Sequence, residues 1–271
     1  MKLSKAVNIA CKDWQGTRSA EQYKRASLNI LNECGDIPLD DIDLIKLHRT
    51  KWAKLLPSTQ RSKVAILTRI MKLAQYSGWE GDIPRKPKIL LDTGKAEFLT
   101  PQQFEKILSC IDDEILEVYF SFLFYTGLRP DSEALKVKRR DIKETPHGYF
   151  LDVPQVKTKP RRIPISSKLV GKLRDFGVFE LEPSALIFKY RGYSYRNISK
   201  KWARIVRLAL GVDGSGDYSL YILRHSTASN LHELGADIMT ISEILGHSSL
   251  NTTRRYIKPS AKTKASALDM L

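Results

Sequence analysis

Residues 221–256 run YILRHSTASN LHELGADIMT ISEILGHSSL NTTRRY. The apolar spacing is helical and stays so from Ser166 onward, so the second half of the chain is predicted to be mainly α. Inside this stretch Arg224 precedes His247 by 23 residues, and His247 precedes Tyr256 by nine. Taken singly, Tyr256 reads as one more packed helix residue and each basic side chain as an ordinary surface charge. Taken together with two segments further upstream, they raise a chemical question.

Moving outward, Tyr149–Val153 and Arg161–Ile165 read as two short strands joined by the basic turn Gln155–Pro160. Before them apolar spacing runs through Ile111 to Tyr125. Thr100-Pro101-Gln102-Gln103 offers a capping threonine, a proline at the first helical position and a glutamine able to close a capping box, which predicts a helix start. Gly78, Gly81, Pro84 and Pro87, with basic residues between them, make a linker that extends to about Glu97. Residues 18–79 read as helices with short breaks, the clearest running from Ser58 to about Trp79 with Leu67, Ile70, Met71 and Ala74 on one face. Arg61, Lys63, Arg69 and Lys72 occupy its other sides. The prediction is a mainly α chain: a helical domain over residues 1–82, a linker over 83–97, and a larger, mostly helical domain over 98–271 with a small antiparallel sheet.

The formal charge of +15 directs attention to a polyanionic partner, with a ribosomal or membrane-surface role as the rival reading. Cys11, Cys34 and Cys110 are widely spaced and odd in number, and are predicted to be small buried hydrophobes in a reducing compartment. The first twelve residues lack a continuous apolar run and no stretch of roughly 18 apolar residues occurs, so a cytoplasmic protein with no membrane partner is expected.

Three segments now act together: Tyr125-Thr-Gly-Leu-Arg129, Val156-Lys157-Thr-Lys-Pro-Arg-Arg-Ile-Pro-Ile165, and Tyr221 to Tyr256 with Leu223-Arg224-His225, Leu245-Gly246-His247 and Thr252-Thr253-Arg-Arg-Tyr256. In these residues and in both spacings the chain resembles the tyrosine recombinase, or phage integrase, family. The resemblance covers residues 98–260. It implies a site-specific recombinase in which Tyr256 attacks a DNA phosphate to give a 3′-phosphotyrosine. Arg129, Arg224 and His247 would hold the phosphate oxygens, and Lys157 would protonate the leaving 5′ oxygen. The chemistry suits these residue types, since guanidiniums stay charged and donate in forked pairs to developing oxyanion charge. Lys159, in the same turn, competes with Lys157 for the acid role.

Two positions depart from the family. Tyr221 stands where His-x-x-Arg normally has its histidine; a phenol can donate to phosphate but is a poor base near neutrality. The family's Arg-x-x-Glu is one residue longer here, Arg129-Pro-Asp-Ser-Glu133, and either Asp131 or Glu133 could orient the arginine. His225 is read as a supporting group.

Residues 1–82 resemble, more weakly, the family's core-type DNA-binding domain, with Gln22-Tyr23-Lys24 in its first helix. The implied partners are double-stranded DNA, three further copies of the chain in a homotetramer formed on DNA from free monomers, and accessory DNA-bending proteins. Strand exchange would run through a Holliday junction, serving integration or excision of a mobile element, with no cofactor and no metal. Ala267, Leu268 and Leu271 in the tail are candidates for docking on a neighbouring subunit or on their own. Two rival readings are a type IB topoisomerase-like relaxase and a catalytically impaired protein that only occupies DNA sites.

Overall fold

The computed structural model describes residues 1–17, 19–90, 98–154, 160–189, 195–211, 218–247 and 249–254. It divides into two compact units, Met1–Gly94 and Lys95–Leu271.

The first unit is helical among its described residues: α1 (Leu3–Asp13), α2 (Ala20–Cys34), α3 (Leu44–Arg49) and α4 (Pro57–Tyr76). Proline at the first position of α4 gives up only a donor that the helix start would leave unused. Leu67, Ile70, Met71 and Ala74 are fully buried, as their spacing predicts. The reading of residues 18–79 did not extend to α1, yet Leu3, Ala6, Val7 and Ala10 lie at helical spacing and are buried against α4 and α2. Two of the basic residues on α4 are engaged within the unit. Lys63 Nζ lies 2.7 Å from both Glu33 oxygens, and the Arg69 guanidinium sits 5.8 Å from the Trp14 ring and 5.6 Å from the Tyr23 ring. Residues 81–90 form no regular element.

The second unit opens with α5 (Pro101–Leu108), whose capping box is complete: Thr100 Oγ1 accepts from Gln103 N–H and Gln103 Oε1 accepts from Thr100 N–H. Then follow α6 (Glu114–Thr126), β1 (Ile142–Thr145), β2 (Gly148–Val153), β3 (Arg161–Pro164), α7 (Ser167–Asp175), α8 (Tyr195–Leu210), α9 (Tyr221–Glu233), α10 (Ile238–Leu245) and α11 (Leu250–Arg254). The strands form an antiparallel sheet in sequence order, with Leu151 facing both Ile142 and Ile163. The two predicted strands are β2 and β3; β1 was not foreseen. The fold is therefore mainly α with a small antiparallel sheet. Its core gathers Phe104, Phe120, Phe122, Leu151, Trp202 and Leu223, all fully buried.

The cysteines correct an expectation. Cys110 is exposed and Cys11 and Cys34 are only half-buried, because Cys110 falls in the turn that ends α5 and the other two sit at the margin of the helical core. Among the described residues no helix is long and apolar enough to cross a membrane.

Candidate active site

Helix α6 ends where Gly127 adopts a left-handed backbone, φ 65°, and α10 ends the same way at Gly246, φ 66°. These two helix ends come together. A Cβ on Gly127 would lie 2.5 Å from Leu245 Cδ2, so a side chain there would have to displace buried Leu245 as well as adopt a strained backbone. Between the ends lies Arg224, in the first turn of α9 and 4% exposed. Its Nη1 donates to the Gly127 carbonyl at 2.7 Å and its Nη2 to the Leu245 carbonyl at 2.6 Å. Terminal carbonyls without helical partners carry partial negative charge, so a buried cation is well placed there. Helix α9 is itself held to α6 by Thr227 Oγ1 donating to Phe124 O at 2.9 Å.

The chain leaves Gly127 through buried Leu128 to Arg129 and turns back at once, Glu133 N–H and Ala134 N–H both donating to Arg129 O. The turn brings the Glu133 carboxylate under Arg129: Oε2 accepts from the Arg129 backbone N–H at 2.9 Å and Oε1 from Nη1 at 2.6 Å. Of the two carboxylates the sequence left open, Glu133 is the one that touches the arginine, and it is 1% exposed, whereas Asp131 is exposed. Glu133 also receives Arg161, whose Nη1 donates at 3.2 Å and Nη2 at 3.0 Å, and lies 3.9 Å from Arg224 Nη1. Burial opposes its ionisation. The bonds from Arg161 and the Arg129 amide, with both guanidinium charges, outweigh burial and hold the carboxyl below its ordinary value.

Arg161 was read only as the start of a strand. It bonds Ile244 O through Nε at 3.0 Å, and its guanidinium fills the space where Gly246 would carry a Cβ, 2.7 Å from that point. A usable signal was present: in β3, Arg161 shares a strand face with buried Ile163, while Arg162 points the other way to Asp152. An arginine on an inward face requires a carboxylate partner.

His247 follows Gly246, and its Nδ1 lies 2.7 Å from Oγ1 of fully buried Thr253. Burial and the nearby charges of Arg224, Arg129 and Arg161 push its pKa down to about 4, so the ring is neutral at physiological pH. His225 is similarly held to about 4, by burial and then by Arg224. Tyr221, at the start of α9, is 39% exposed. Burial and the Asp131 carboxylate raise its pKa against the opposing pull of Arg129 and Arg224, so it remains a phenol.

The structure thus brings Arg129, Arg224 and His247 together with Glu133 and Arg161, and sets Tyr221 within the field of the two arginines. Lys157, Lys159, Tyr256 and the tail residues Ala267, Leu268 and Leu271 lie outside the described residues. Among the described residues no group of three or more His, Cys, Asp or Glu could hold a metal ion. The arrangement can receive a tetrahedral oxyanion by fixed guanidiniums and a neutral imidazole.

Residues 97–263 match the profile of the Phage integrase family. A tyrosine recombinase XerC of Nitrobacter winogradskyi is 35% identical over 50% of this chain and 43% of its own length. XerA of Pyrococcus furiosus is 31% identical over 70% and 66%, and XerD of Rickettsia prowazekii 27% over 86% and 84%. The chain thus spans less than two thirds of the first two relatives. Among solved structures, the Tn1549 transposon integrase bound to transposon right end DNA aligns with 100% of this chain and 99% of its own, at a TM-score of 0.77 and 18% identity. A lambda integrase dimer bound to a core site gives 97% of each chain, 0.77 and 18%. At this identity the likeness speaks for the fold.

Proposed function

Because the chain belongs to the phage integrase family, we propose that it is a site-specific tyrosine recombinase acting on double-stranded DNA. Tyr256 attacks a phosphodiester, forming a 3′-phosphotyrosyl bond and releasing a 5′ hydroxyl. A second DNA end reverses the step, so the energy of the broken bond is kept without a high-energy cofactor. The observation that carries this reading is the buried cluster in which Glu133 gathers Arg129 and Arg161 beside Arg224, with neutral His247 at its edge.

The roles follow from that chemistry. Arg129 and Arg224 supply fixed positive charge to the non-bridging oxygens, stabilising the pentacoordinate transition state more than the resting diester. His247, being neutral, contributes a hydrogen bond rather than charge. Tyr221 takes the place of the family's usual histidine and, remaining protonated, acts as a donor to the phosphate. Lys157 protonates the leaving oxygen. Residues 1–82 serve as a core-type DNA-binding domain joined by residues 83–97 to the catalytic domain. Four copies assemble on two sites and exchange strands through a Holliday junction, with accessory DNA-bending proteins as further partners and the chromosome or mobile element as location. The names of the solved relatives support DNA as the partner, since both structures above hold DNA.

A nicked suicide duplex tests the reading, because loss of the 5′ fragment traps the covalent adduct. An adduct in the wild type that disappears in Tyr256→Phe is expected; an adduct that persists in that variant would move the nucleophile elsewhere. A 5′-bridging phosphorothioate, whose sulfur leaves without a proton, should rescue Lys157→Ala. Rescue of Lys159→Ala instead would transfer the acid role.

A further inference from the structure

A common pattern for buried hydroxyls on the helices of this protein is a local bond: those of Ser27, Thr68, Thr126 and Ser226 each donate to the backbone carbonyl four residues earlier, while Ser121 Oγ has no hydrogen-bond partner among the described residues. Thr253, fully buried in α11, departs from it. Among the described residues its hydroxyl makes one hydrogen bond, to His247 Nδ1 at 2.7 Å. A hydroxyl has one proton and two lone pairs, and stranding a buried proton costs about 1–3 kcal/mol. Were Nδ1 to carry the ring hydrogen, Thr253 would accept and its own proton would be stranded. With Thr253 donating, both groups are satisfied and the ring hydrogen goes to Nε2.

We propose that Thr253 is a positioning residue for the reaction: its buried hydroxyl donates to His247 Nδ1 and holds the imidazole in the tautomer with hydrogen on Nε2, the form that can donate to a phosphate oxygen. This rests on the recombinase reading, since the Nε2 hydrogen serves catalysis only if a phosphate occupies the site. The placement is economical in sequence as well. Thr253 lies three residues before Tyr256, so the segment that selects the ring's tautomer also leads to the proposed nucleophile.

The test uses the full chain with 15N-labelled histidine, read by two-bond proton–nitrogen spectra, with His247→Gln assigning the signal. Wild type is expected to show hydrogen on Nε2. Thr253→Val removes the hydroxyl while keeping the side-chain shape; it should place hydrogen on Nδ1 or exchange it between the two nitrogens. Adduct formation on the suicide duplex should then fall roughly ten- to a hundredfold, the range known for losing the outer partner of a metal-bound histidine, with DNA affinity little changed. Thr253→Ser, which keeps the donor, should restore both the spectrum and the rate. An Nδ1 hydrogen in the wild type, an unchanged spectrum in Thr253→Val, or a serine variant as slow as the valine one would each overturn the proposal. A wild-type chain that forms no adduct removes the recombinase reading itself. A normal wild-type adduct with an unaffected valine variant removes only the role of Thr253.

Discussion

Removing the carboxylate of Glu133 should both loosen the second unit and slow the proposed reaction. Glu133 is 1% exposed and faces Arg129 Nη1 at 2.6 Å, Arg161 Nη2 at 3.0 Å and Arg224 Nη1 at 3.9 Å. In Glu133→Ala these cations lose their common counter-ion while their side chains stay largely buried. Breaking a buried pair by deleting one partner costs about 3–5 kcal/mol. At about 2–4 °C per kcal/mol for a unit of this size, the melting temperature should fall by roughly 6–20 °C. Glu133→Gln keeps the shape and an acceptor for the Arg129 amide but not the charge, and should lose about half as much. Calorimetry on each variant, beside adduct formation well below its melting temperature, separates the two effects. The adduct rate should still drop in Glu133→Gln, because Arg129 is no longer held by a charged fork. If Glu133→Ala melted within 2 °C of the wild type, the carboxylate would not be organising these arginines, and the reasoning would fail.

Gly246→Ala should cost about 1–3 kcal/mol, from a left-handed backbone and a Cβ 2.7 Å from Arg161 Nη1; an unshifted melting curve would contradict that close approach. His225 and His247 ionise near pH 4 in the folded chain but near 6.5 when unfolded, so the unfolded state takes up protons first as pH falls. Their stabilisation is complete above 6.5 and is lost between 6.5 and about 4, with no further loss below. Denaturant titrations across that window should show the slope in wild type and a shallower one in His225→Gln; equal slopes would argue against a buried neutral ring. Tyr221→Phe should slow adduct formation by about tenfold if the phenol donates to phosphate, and a full-rate Phe variant would remove it from the site. Leu67→Ala, at a fully buried position on α4, should destabilise the first unit by about 2–5 kcal/mol in calorimetry, and a smaller change than 1 kcal/mol would place the residue outside a packed core.

What could be read from residues alone was whatever is specified locally. The α5 capping box, the buried face of α4 and the β2–β3 pair follow from patterns a few residues long. Helix α1 obeys the same periodicity but is only eleven residues long, too short for its apolar face to stand out apart from α4 and α2, on which it packs. Strand β1 has a single inward residue, Ile142, too little alternation to distinguish it from a loop. At the candidate site, Arg129, Arg224 and His247 were named from motifs that resemble a known family, and the fold brings the three together. Glu133 and Arg161 were not assigned because their roles arise from tertiary contact: residues 28 apart meet only after the sheet packs beside the α6 turn. The choice between Asp131 and Glu133 depended on a tight turn whose direction spacing does not reveal.

The guanidinium cluster has one more consequence, in its charge balance. Three guanidiniums against one carboxylate, with His247 neutral, leave two positive charges among these groups. A resting phosphodiester carries one negative charge and would leave the site overcharged, whereas the pentacoordinate species formed by tyrosine attack carries two and would neutralise it. Glu133 is then more than a tether. On the proposed recombinase reading, cancelling one of three positive charges would tune the pocket to the electrostatics of the reaction's summit rather than of its substrate, so that DNA would be held without being trapped.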